Sequence, residues 1–374
     1  MLKDHIITKI EEYNVRTRYP RFIGKNSKLP AHRYGVELSV IEITTDKGAM
    51  GFGLGKCDRI LKQNLLGRPL SEVFDPAIGI LEPSLQWADI ALHDLAGKIL
   101  GISVKKMISD APLDKISCYD GAIYLDDISP DRAPAGLDGL IQHCSDDMAL
   151  GYTDFKLKMG RKTWMGKEEG MQRDVDVVRL VRQNFPDARI LVDPNDAYTL
   201  DEAIWFMEHV KDYGIYWIEE PFCENREDLL KFKAYLKENS PETLIADGEW
   251  APDYIHTRTT LELVDSLAEE KLIDAVLMDT VDYGFTNWRR YLTALRDKKG
   301  TKWLSSPHNW TSSFKTKYCS HLAAAFPDLI PTIEGVVDTL EGVESEGYKM
   351  ENGLLTVPDE PGFGMQLIWG RKIG

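Results

Sequence analysis

The stretch that decides the fold is IYWIEEPF at residues 215–222, in which an apolar run ends abruptly in two carboxylates. The same pattern occurs earlier in ARILVDPND at 188–196 and later in TLIADGEW at 243–250. Each run is short and apolar, which is typical of a buried strand in a parallel sheet. The acidic residues that close the three runs lie 26 and 30 residues apart, about one strand-helix unit each.

Outward from these runs, short apolar strands alternate with amphipathic helices from about residue 115 onwards. Strands are predicted at 116–125, 154–158, 189–192, 215–218, 243–246, 274–278, 301–304 and 331–333, with helical patterns at 174–184, 200–211 and 287–296. This pattern indicates an α/β fold of the TIM-barrel, (β/α)8 type. A doubly wound open sheet is the alternative, but no GxGxxG sequence follows any predicted strand.

The sequence before the barrel has a different pattern. Residues 35–45 and 50–54 predict a β-hairpin joined by the turn DKG, and 85–100 predict a long amphipathic helix. This part is therefore expected to form an α+β unit of its own. At the other end, the C-terminal tail contains a strand-like stretch at 354–357 followed by the turn cluster PDEPGFG. This tail is too small to fold alone, and we expect it to pack on the N-terminal unit.

The composition excludes several classes of partner. The chain has 374 residues, with 45 basic and 60 acidic side chains and a formal net charge of −15. This charge argues against nucleic-acid binding and against adhesion to an anionic membrane. The five cysteines are scattered and never form a CxxC pair, so neither a disulfide framework nor a zinc site is predicted. We expect a cytoplasmic protein without a processed signal or a membrane span.

Polar residues follow the predicted strands at the end where barrel enzymes carry their chemistry. They are Lys156, Lys158, Asp193, Glu219, Glu220, Glu249, Asp279, His308 and Glu334. Three acidic strand ends in succession would repel one another unless a cation binds between them. Hard oxygen ligands that leave coordination positions for substrate suit Mg²⁺.

The basic strand ends are candidates for proton transfer. Lys156 and Lys158 point to the same face of their strand, and two buried ammonium groups lower each other's pKa, which would make one of them a general base. His308 becomes a candidate acid or base because Asp279 ends the preceding strand. Asp274 begins that strand and therefore lies at the wrong end for such a partnership.

The sequence resembles the enolase superfamily, mandelate racemase subgroup, over nearly its whole length. The motifs that carry the resemblance are TTDKGAMGFG, WADIALHDLAGKILGISV, KLK, VDPND, WIEEP, ADGEW, SSPHNW and ENGLLTVPDEPGFG. It implies a capping domain at 1–115, a (β/α)7β barrel at 116–340, and a C-terminal segment at 341–374 that completes the capping domain. It also implies a homo-oligomer, because symmetric assemblies are frequent in this family.

The resemblance further implies one Mg²⁺ held by Asp193, Glu219 and Glu249. The first glutamate of WIEEP is the family ligand, so Glu220 is expected beside the metal ligands rather than among them. In ADGEW the Gly-Glu pattern selects Glu249 over Asp247.

The implied reaction removes the α-proton of a hydroxy carboxylate to form an enediolate. Lys158 would act on one face and His308, oriented by Asp279, on the other, while Lys156 lowers the pKa of Lys158. Glu334 would be protonated and donate to the enediolate. Asn195 would contact the substrate.

We favour dehydration of an aldonic or aldaric acid to a 2-keto-3-deoxy product over two alternatives. These are a racemase or epimerase of a 2-hydroxy acid and, less favoured, an inactive barrel that serves as a binding protein.

A basic stretch near the N-terminus sharpens the predicted substrate. Residues 14–32 contain several basic residues and no acidic one. In the family that the sequence resembles, this loop (14–33) closes over the active site. Arg16 and Arg18 are therefore predicted to bind an anionic sugar acid, including the second carboxylate of a diacid.

Overall fold

The computed structural model describes residues 1–129, 135–249, 260–300 and 302–368, and the backbone of 371–372. No helix within these ranges is long and apolar enough to cross a membrane.

The N-terminal unit consists of an antiparallel sheet, a separate pair of short strands (the fourth and fifth) and helices. Its strands are β1 (Ile7–Arg18), β2 (Glu37–Thr45), β3 (Met50–Leu54), β4 (Phe74–Asp75) and β5 (Gly79–Ile80), and its helices are α1 (Arg59–Leu65), α2 (Asp89–Leu100) and α3 (Val104–Ile108). β1, β2 and β3 pair in that order, so the predicted hairpin is confirmed. A Cβ on Gly51 would lie 2.3 Å from the Leu95 amide nitrogen, so glycine is what allows β3 to approach α2 closely.

The central part is a barrel of eight parallel strands, as predicted. The strands are β6 (Lys115–Ile123), β7 (Phe155–Lys158), β8 (Ile190–Asp193), β9 (Ile215–Glu219), β10 (Leu244–Asp247), β11 (Ala275–Val276), β12 (Leu304–Ser305) and β13 (Ile333–Gly335). Consecutive strands from β6 to β12 pair in parallel, and β13 pairs with β6. The Ser306 hydroxyl donates to the Thr332 carbonyl at 3.1 Å and links the two remaining neighbours.

Seven helices of the described chain connect these strands, which makes the barrel (β/α)7β. They are α4 (Gly136–Ala149), α5 (Lys167–Asn184), α6 (Leu200–Val210), α7 (Arg226–Asn239), α8 (Leu261–Glu269), α9 (Phe285–Asp297) and α10 (Ser313–Ala325). Short 3-10 helices cover Leu2–Asp4, Leu70–Glu72, Pro83–Ala88, Asp126–Ile128, Arg161–Thr163 and Lys211–Tyr213. The predicted helix at 85–100 is therefore α-helical only from Asp89, because its first turn is the 3-10 helix that begins at Pro83.

The C-terminal segment contacts both units. It forms β14 (Thr339–Glu341), β15 (Val343–Glu344), β16 (Met350–Glu351), β17 (Leu354–Thr356), β18 (Gln366–Leu367) and β19 (Arg371–Lys372). β14 and β19 pair with β1, and the Phe363 amide donates to Asp94 of α2. The C-terminal tail therefore packs on the N-terminal unit as expected, although its strand β17 pairs antiparallel with the barrel strand β6. The tail thus joins the barrel to the sheet of the N-terminal unit.

The first strand corrects another prediction. Residues 14–18 were expected in a loop, but they belong to β1, where Arg16 lies opposite Glu37 and Glu341. The alternation of buried Val15, Thr17 and Tyr19 with exposed neighbours explains why this stretch is extended. The loop that follows β1 therefore begins after Arg18.

Candidate active site

Three carboxylates converge at the C-terminal end of neighbouring barrel strands. Asp193 is the last residue of β8 and Glu219 the last residue of β9. Glu249 follows β10 after Gly248, whose φ of +89° turns the chain in a way that favours glycine. One oxygen from each carboxylate lies within 4.8 Å of the others.

The oxygens of this cluster fit a hard divalent cation. Glu249 Oε1 is buried and accepts no hydrogen bond from the residues that the structure describes. Its side chain is only 10% exposed, and those of Asp193 and Glu219 are fully enclosed. A buried carboxylate oxygen without a donor is unfavourable, and a cation such as Mg²⁺ would satisfy it. The donor set therefore suits Mg²⁺.

The two lysines of β7 both face this cluster. Lys156 Nζ lies 2.5 Å from Glu219 Oε1 and 3.6 Å from Asp193 Oδ2, and Lys158 Nζ forms an ion pair with Asp193 Oδ2. Burial tends to raise the pKa of Asp193, but the attraction of Lys158 and Lys156 outweighs it and lowers that pKa to about 2. Alternation along β7 has thus placed both ammonium groups inside the barrel mouth, as the sequence predicted.

The pKa of Lys156 does not follow the sequence prediction. Burial tends to lower it, but Glu219 and then Glu334 raise the pKa of Lys156 well above its ordinary value. Lys156 Nζ lies 2.9 Å from Glu334 Oε1, so its immediate neighbours are carboxylates rather than another ammonium group. The expectation that the two lysines mainly depress each other's pKa is therefore wrong for Lys156.

A histidine and an aspartate form the other wall of the site. His308 Nδ1 lies 3.2 Å from Asp279 Oδ2, and His308 Nε2 lies 3.7 Å from Glu249 Oε1. A residue that the sequence analysis missed, Lys315 on α10, places its Nζ 2.6 Å from the same Asp279 oxygen. Burial tends to raise the pKa of Asp279, but Lys315 and then His308 hold it well below the usual range. Asp279 is therefore shared between the imidazole of His308 and the ammonium group of Lys315.

Glu334 does not have the protonation state expected from the sequence. Its Oε2 accepts from the Asn309 amide at 3.0 Å, and its other oxygen faces Lys156. Burial favours the neutral acid, but Lys156, His308 and Lys158 together lower the pKa of Glu334 below its ordinary value. The expectation of a protonated Glu334 is wrong for the site as the structure shows it, because its nearest side-chain partner is a cation.

Asn195 is held rigidly beside the first carboxylate. Its backbone N–H donates to Asp193 Oδ1 at 2.9 Å, and its side-chain Nδ2 donates to Glu220 Oε2 at 3.3 Å. Asn195 and Glu220 both have positive φ, 48° and 39°, in the left-handed region that non-glycine residues rarely adopt. Glu220 contacts Asn195 instead of joining the three-carboxylate cluster.

A cavity of about 210 Å³ opens next to these groups. It is lined by Asn26, Leu29, His32, Tyr124, Lys158, Asn195, Glu249, Asp279, Asp282, His308, Trp310, Thr311 and Lys315. Candidate proton-transfer groups from two sides, Lys158 and His308, thus face the same cavity. A cavity of this kind is the expected form of a small-molecule site.

The loop between β1 and β2 covers this cavity, but the two arginines that were predicted to bind the substrate do not line it. Asn26, Leu29 and His32 line the cavity, whereas Arg16 and Arg18 do not. Arg18 forms an ion pair with Glu341 on the neighbouring strand instead. The predicted substrate contacts of Arg16 and Arg18 are therefore corrected, because both side chains belong to a strand that ends before the loop begins.

Contacts from the same loop fasten it to the barrel rim. The Tyr19 hydroxyl donates to the Thr311 carbonyl and the Ser27 hydroxyl to the Pro194 carbonyl, both at 2.7 Å. Lys28 Nζ lies 2.5 Å from Asp196 Oδ2. These bonds hold the loop against the segments that follow β8 and β12.

Comparison with known proteins agrees with this geometry. Residues 140–370 match the enolase C-terminal domain-like family. The protein belongs to the enolase superfamily. Its structural neighbours place it among the mandelate racemase and muconate lactonizing members of that superfamily.

The relatives of this enolase-superfamily protein include a cycloisomerase and a dehydratase that are named for a sugar acid or its lactone, and also a hydrophobic dipeptide epimerase. It is 25% identical to D-galactarolactone cycloisomerase of Agrobacterium fabrum, over 77% of this chain and 72% of that protein. It is also 25% identical to arabinonate dehydratase of Saccharolobus solfataricus, over 76% and 70% of the two chains. A structure of mutant galacturonate dehydratase from Geobacillus sp., complexed with Mg, is 27% identical, with a TM-score of 0.89 and coverage of 98% and 93%.

Proposed function

We propose that this protein is a Mg²⁺-dependent acid-sugar dehydratase, a lyase that converts an aldonic or aldaric acid to a 2-keto-3-deoxy product. The observation that carries the proposal is the cluster of Asp193, Glu219 and Glu249 beside a cavity that Lys158 and His308 both line. Dehydratases among its relatives, and a neighbour complexed with Mg, support it.

Asp193, Glu219 and Glu249 would hold the Mg²⁺ in this scheme. When bound there, Mg²⁺ would neutralise the substrate carboxylate and stabilise the enediolate that forms on loss of the α-proton. The ion pairs of Lys156 with Glu219 and Asp193 would keep these carboxylates correctly oriented.

Proton transfer would be shared between the two walls of the cavity. One of Lys158 and His308 takes the α-proton. The electron pair of the broken carbon–hydrogen bond then forms the carbon–carbon double bond of the enediolate. The bond from the β-carbon to its hydroxyl then breaks, and a proton from the other wall lets that hydroxyl leave as water. The resulting enol takes up a proton at the β-carbon and becomes the 2-keto-3-deoxy acid.

The remaining residues would orient these groups. Asp279 fixes the imidazole of His308 through Nδ1, which leaves Nε2 facing Glu249 and the cavity. Glu334, held by the Asn309 amide and paired with Lys156, would face the enediolate. Asn195, which lies in the loop after β8, would contact a substrate hydroxyl.

The test is incubation of the purified protein with Mg²⁺ and a panel of aldonic, aldaric and uronic acids, with detection of keto products. We expect keto acid formation that EDTA abolishes and Mg²⁺ restores. Replacing Lys158 with Met or His308 with Asn should lower kcat by about 10²–10⁴-fold, the usual contribution of a general acid or base.

Two outcomes would contradict the proposal. Deuterium that enters the α-position from D₂O without keto formation would show a racemase or epimerase instead. Activity that survives EDTA would show that the three carboxylates do not hold an essential metal.

A further inference from the structure

His32 is the loop residue with the most distinctive contacts in the cavity. It lies between β1 and β2, and its amide donates to the Gly24 carbonyl at 3.2 Å. Its ring packs edge-on against Tyr124 and Trp310, with centroids 5.0 and 5.3 Å away. Two buried aromatic side chains of the barrel mouth thus hold the imidazole in one orientation.

The hydrogen bond to Trp310 assigns the tautomer of this ring. Trp310 Nε1 lies 3.3 Å from His32 Nδ1, and an indole nitrogen can only donate. Nδ1 must therefore be the unprotonated nitrogen, so the proton of the neutral ring is on Nε2. Burial, and then the charge of Lys158, lower the pKa of His32 to about 4, which agrees with a neutral ring at pH 7.

The protonated nitrogen has no partner within the described chain. His32 Nε2 is buried and makes no hydrogen bond there, although the residue lines the cavity. Asn195 Oδ1, on the barrel side of the same cavity, is likewise buried without a donor. A buried polar atom without a partner is unfavourable, so both atoms are suited to a ligand that supplies an acceptor and a donor.

A hydroxyl group has both of these properties, whereas a carboxylate has only acceptors. The two lysines that line the cavity, Lys158 and Lys315, already pair with carboxylates. Lys28 pairs with Asp196 and Lys315 with Asp279, and Arg21 of the same loop binds Asp147. Asp282 adds a further acid to the cavity lining. A second carboxylate on the substrate would thus find, among the described residues, only cations that already pair with protein carboxylates. A neutral hydroxyl does not need a cation.

We propose that His32 is a specificity-determining residue whose Nε2–H donates to a neutral hydroxyl of the sugar chain beyond the two reacting carbons. The substrate is then a polyhydroxylated monocarboxylate, an aldonic rather than an aldaric acid. This inference rests on the proposed function, which it narrows from sugar acids in general to monoacids.

The test compares His32→Phe with wild type on an active monoacid and on its mono-deoxy analogues beyond the reacting carbons. Phenylalanine keeps the ring and removes the donor. We expect kcat/KM for the full substrate to fall about tenfold or more, and one deoxy analogue to show no such loss, because the hydroxyl that His32 binds is already missing. His32→Gln, which keeps an N–H donor, should recover part of the activity.

The matched control is His209→Phe. His209 also packs on a tryptophan, with its ring 4.0 Å from that of Trp205, but it lies on α6 away from the cavity. This variant should retain wild-type kcat/KM. Histidine nitrogen chemical shifts of the wild type should show an unprotonated Nδ1 and a protonated Nε2 at His32.

Several results would overturn the inference. An equal loss on every deoxy analogue would show that His32 does not bind one hydroxyl, and a preference of the wild type for diacids would show that the acceptor is a carboxylate. If no acid yields a keto product, the proposed reaction fails. In that case, the affinities of the same Mg²⁺-loaded variants for the same acids, measured by calorimetry, still decide the role of His32.

Discussion

At the scale of single residues, the site is a set of carboxylates whose behaviour depends on their neighbours. Asp193, Glu334 and Asp279 have lowered pKa values because burial is outweighed by the attraction of nearby cations. Glu219 differs: burial is the largest influence, Lys156 only partly offsets it, and the pKa of Glu219 is raised well above its ordinary value. Equivalent strand-end positions therefore carry chemically different groups.

Lys315 provides a prediction at this scale. Its Nζ holds the Asp279 oxygen that His308 Nδ1 also contacts, so its loss would free the carboxylate to move and disturb the imidazole. We expect Lys315→Met to lower kcat for the dehydration about tenfold while KM changes less. Steady-state kinetics with the active sugar acid would measure this.

Lys317→Met is the matched control for that variant. Lys317 lies on the same helix but donates to Ser313 and lines a different cavity, so its replacement should leave kcat unchanged. Equal effects of the two variants would show that Lys315 acts only through the stability of α10.

At the scale of secondary-structure elements, the strand ends decide which acidic residues meet. β9 ends at Glu219. The positive φ of Glu220 then turns the Glu220 side chain towards Asn195. Two adjacent glutamates thus face different partners. In the loop between β1 and β2, the basic residue Lys28 forms an ion pair with Asp196 of the barrel, whereas neutral residues of the loop line the cavity.

The change of direction after β9 predicts different metal dependence for two neighbouring variants. We expect Mg²⁺ at 100 times its Kd to stabilise the wild type by about 2.7 kcal/mol. Glu219→Gln should lose most of this stabilisation because it removes a ligand, whereas Glu220→Gln should keep it. Thermal unfolding with and without Mg²⁺ would measure the difference, and loss in both variants would contradict the assignment of Glu219 as the ligand.

At the scale of the whole molecule, the C-terminal segment connects the barrel to the N-terminal unit through a buried histidine. His321 of α10 accepts from the Lys105 amide of α3 through Nδ1, and its Nε2 lies 2.8 Å from the Tyr348 hydroxyl. Tyr348 in turn donates to the Phe363 carbonyl at 2.6 Å. One neutral imidazole therefore links three parts of the chain.

This network predicts how stability depends on pH. Burial, and then the charge of Lys105, lower the pKa of His321 to about 3 in the folded state, compared with about 6.5 in an unfolded chain. Between these values only the unfolded chain binds this proton. The stability that the neutral His321 contributes is therefore fully present above pH 6.5 and decreases as the pH falls below it. The expected contribution is about 1.4 kcal/mol per pH unit.

Urea unfolding of wild type and His321→Gln between pH 5 and 7.5 would isolate this contribution. The variant should show a smaller decrease of the unfolding free energy towards acid pH than the wild type does. An identical pH dependence in both proteins would mean that His321 is not a neutral group in the folded state.

The sequence by itself determined the barrel and the convergence of Asp193, Glu219 and Glu249. Those features follow from local patterns, because every parallel strand of a barrel ends on the same rim and polar residues at the strand ends meet there. The charge partners were decided only by the tertiary structure. The charge partner Lys315 and the neutral cavity residue His32 come from a helix and a loop. Their contacts with Asp279 and Trp310, which follow β11 and β12, depend on packing across long stretches of chain, and no local pattern records that packing. The same holds for Arg16 and Arg18, whose place in β1 was settled by pairing with β2 and β14.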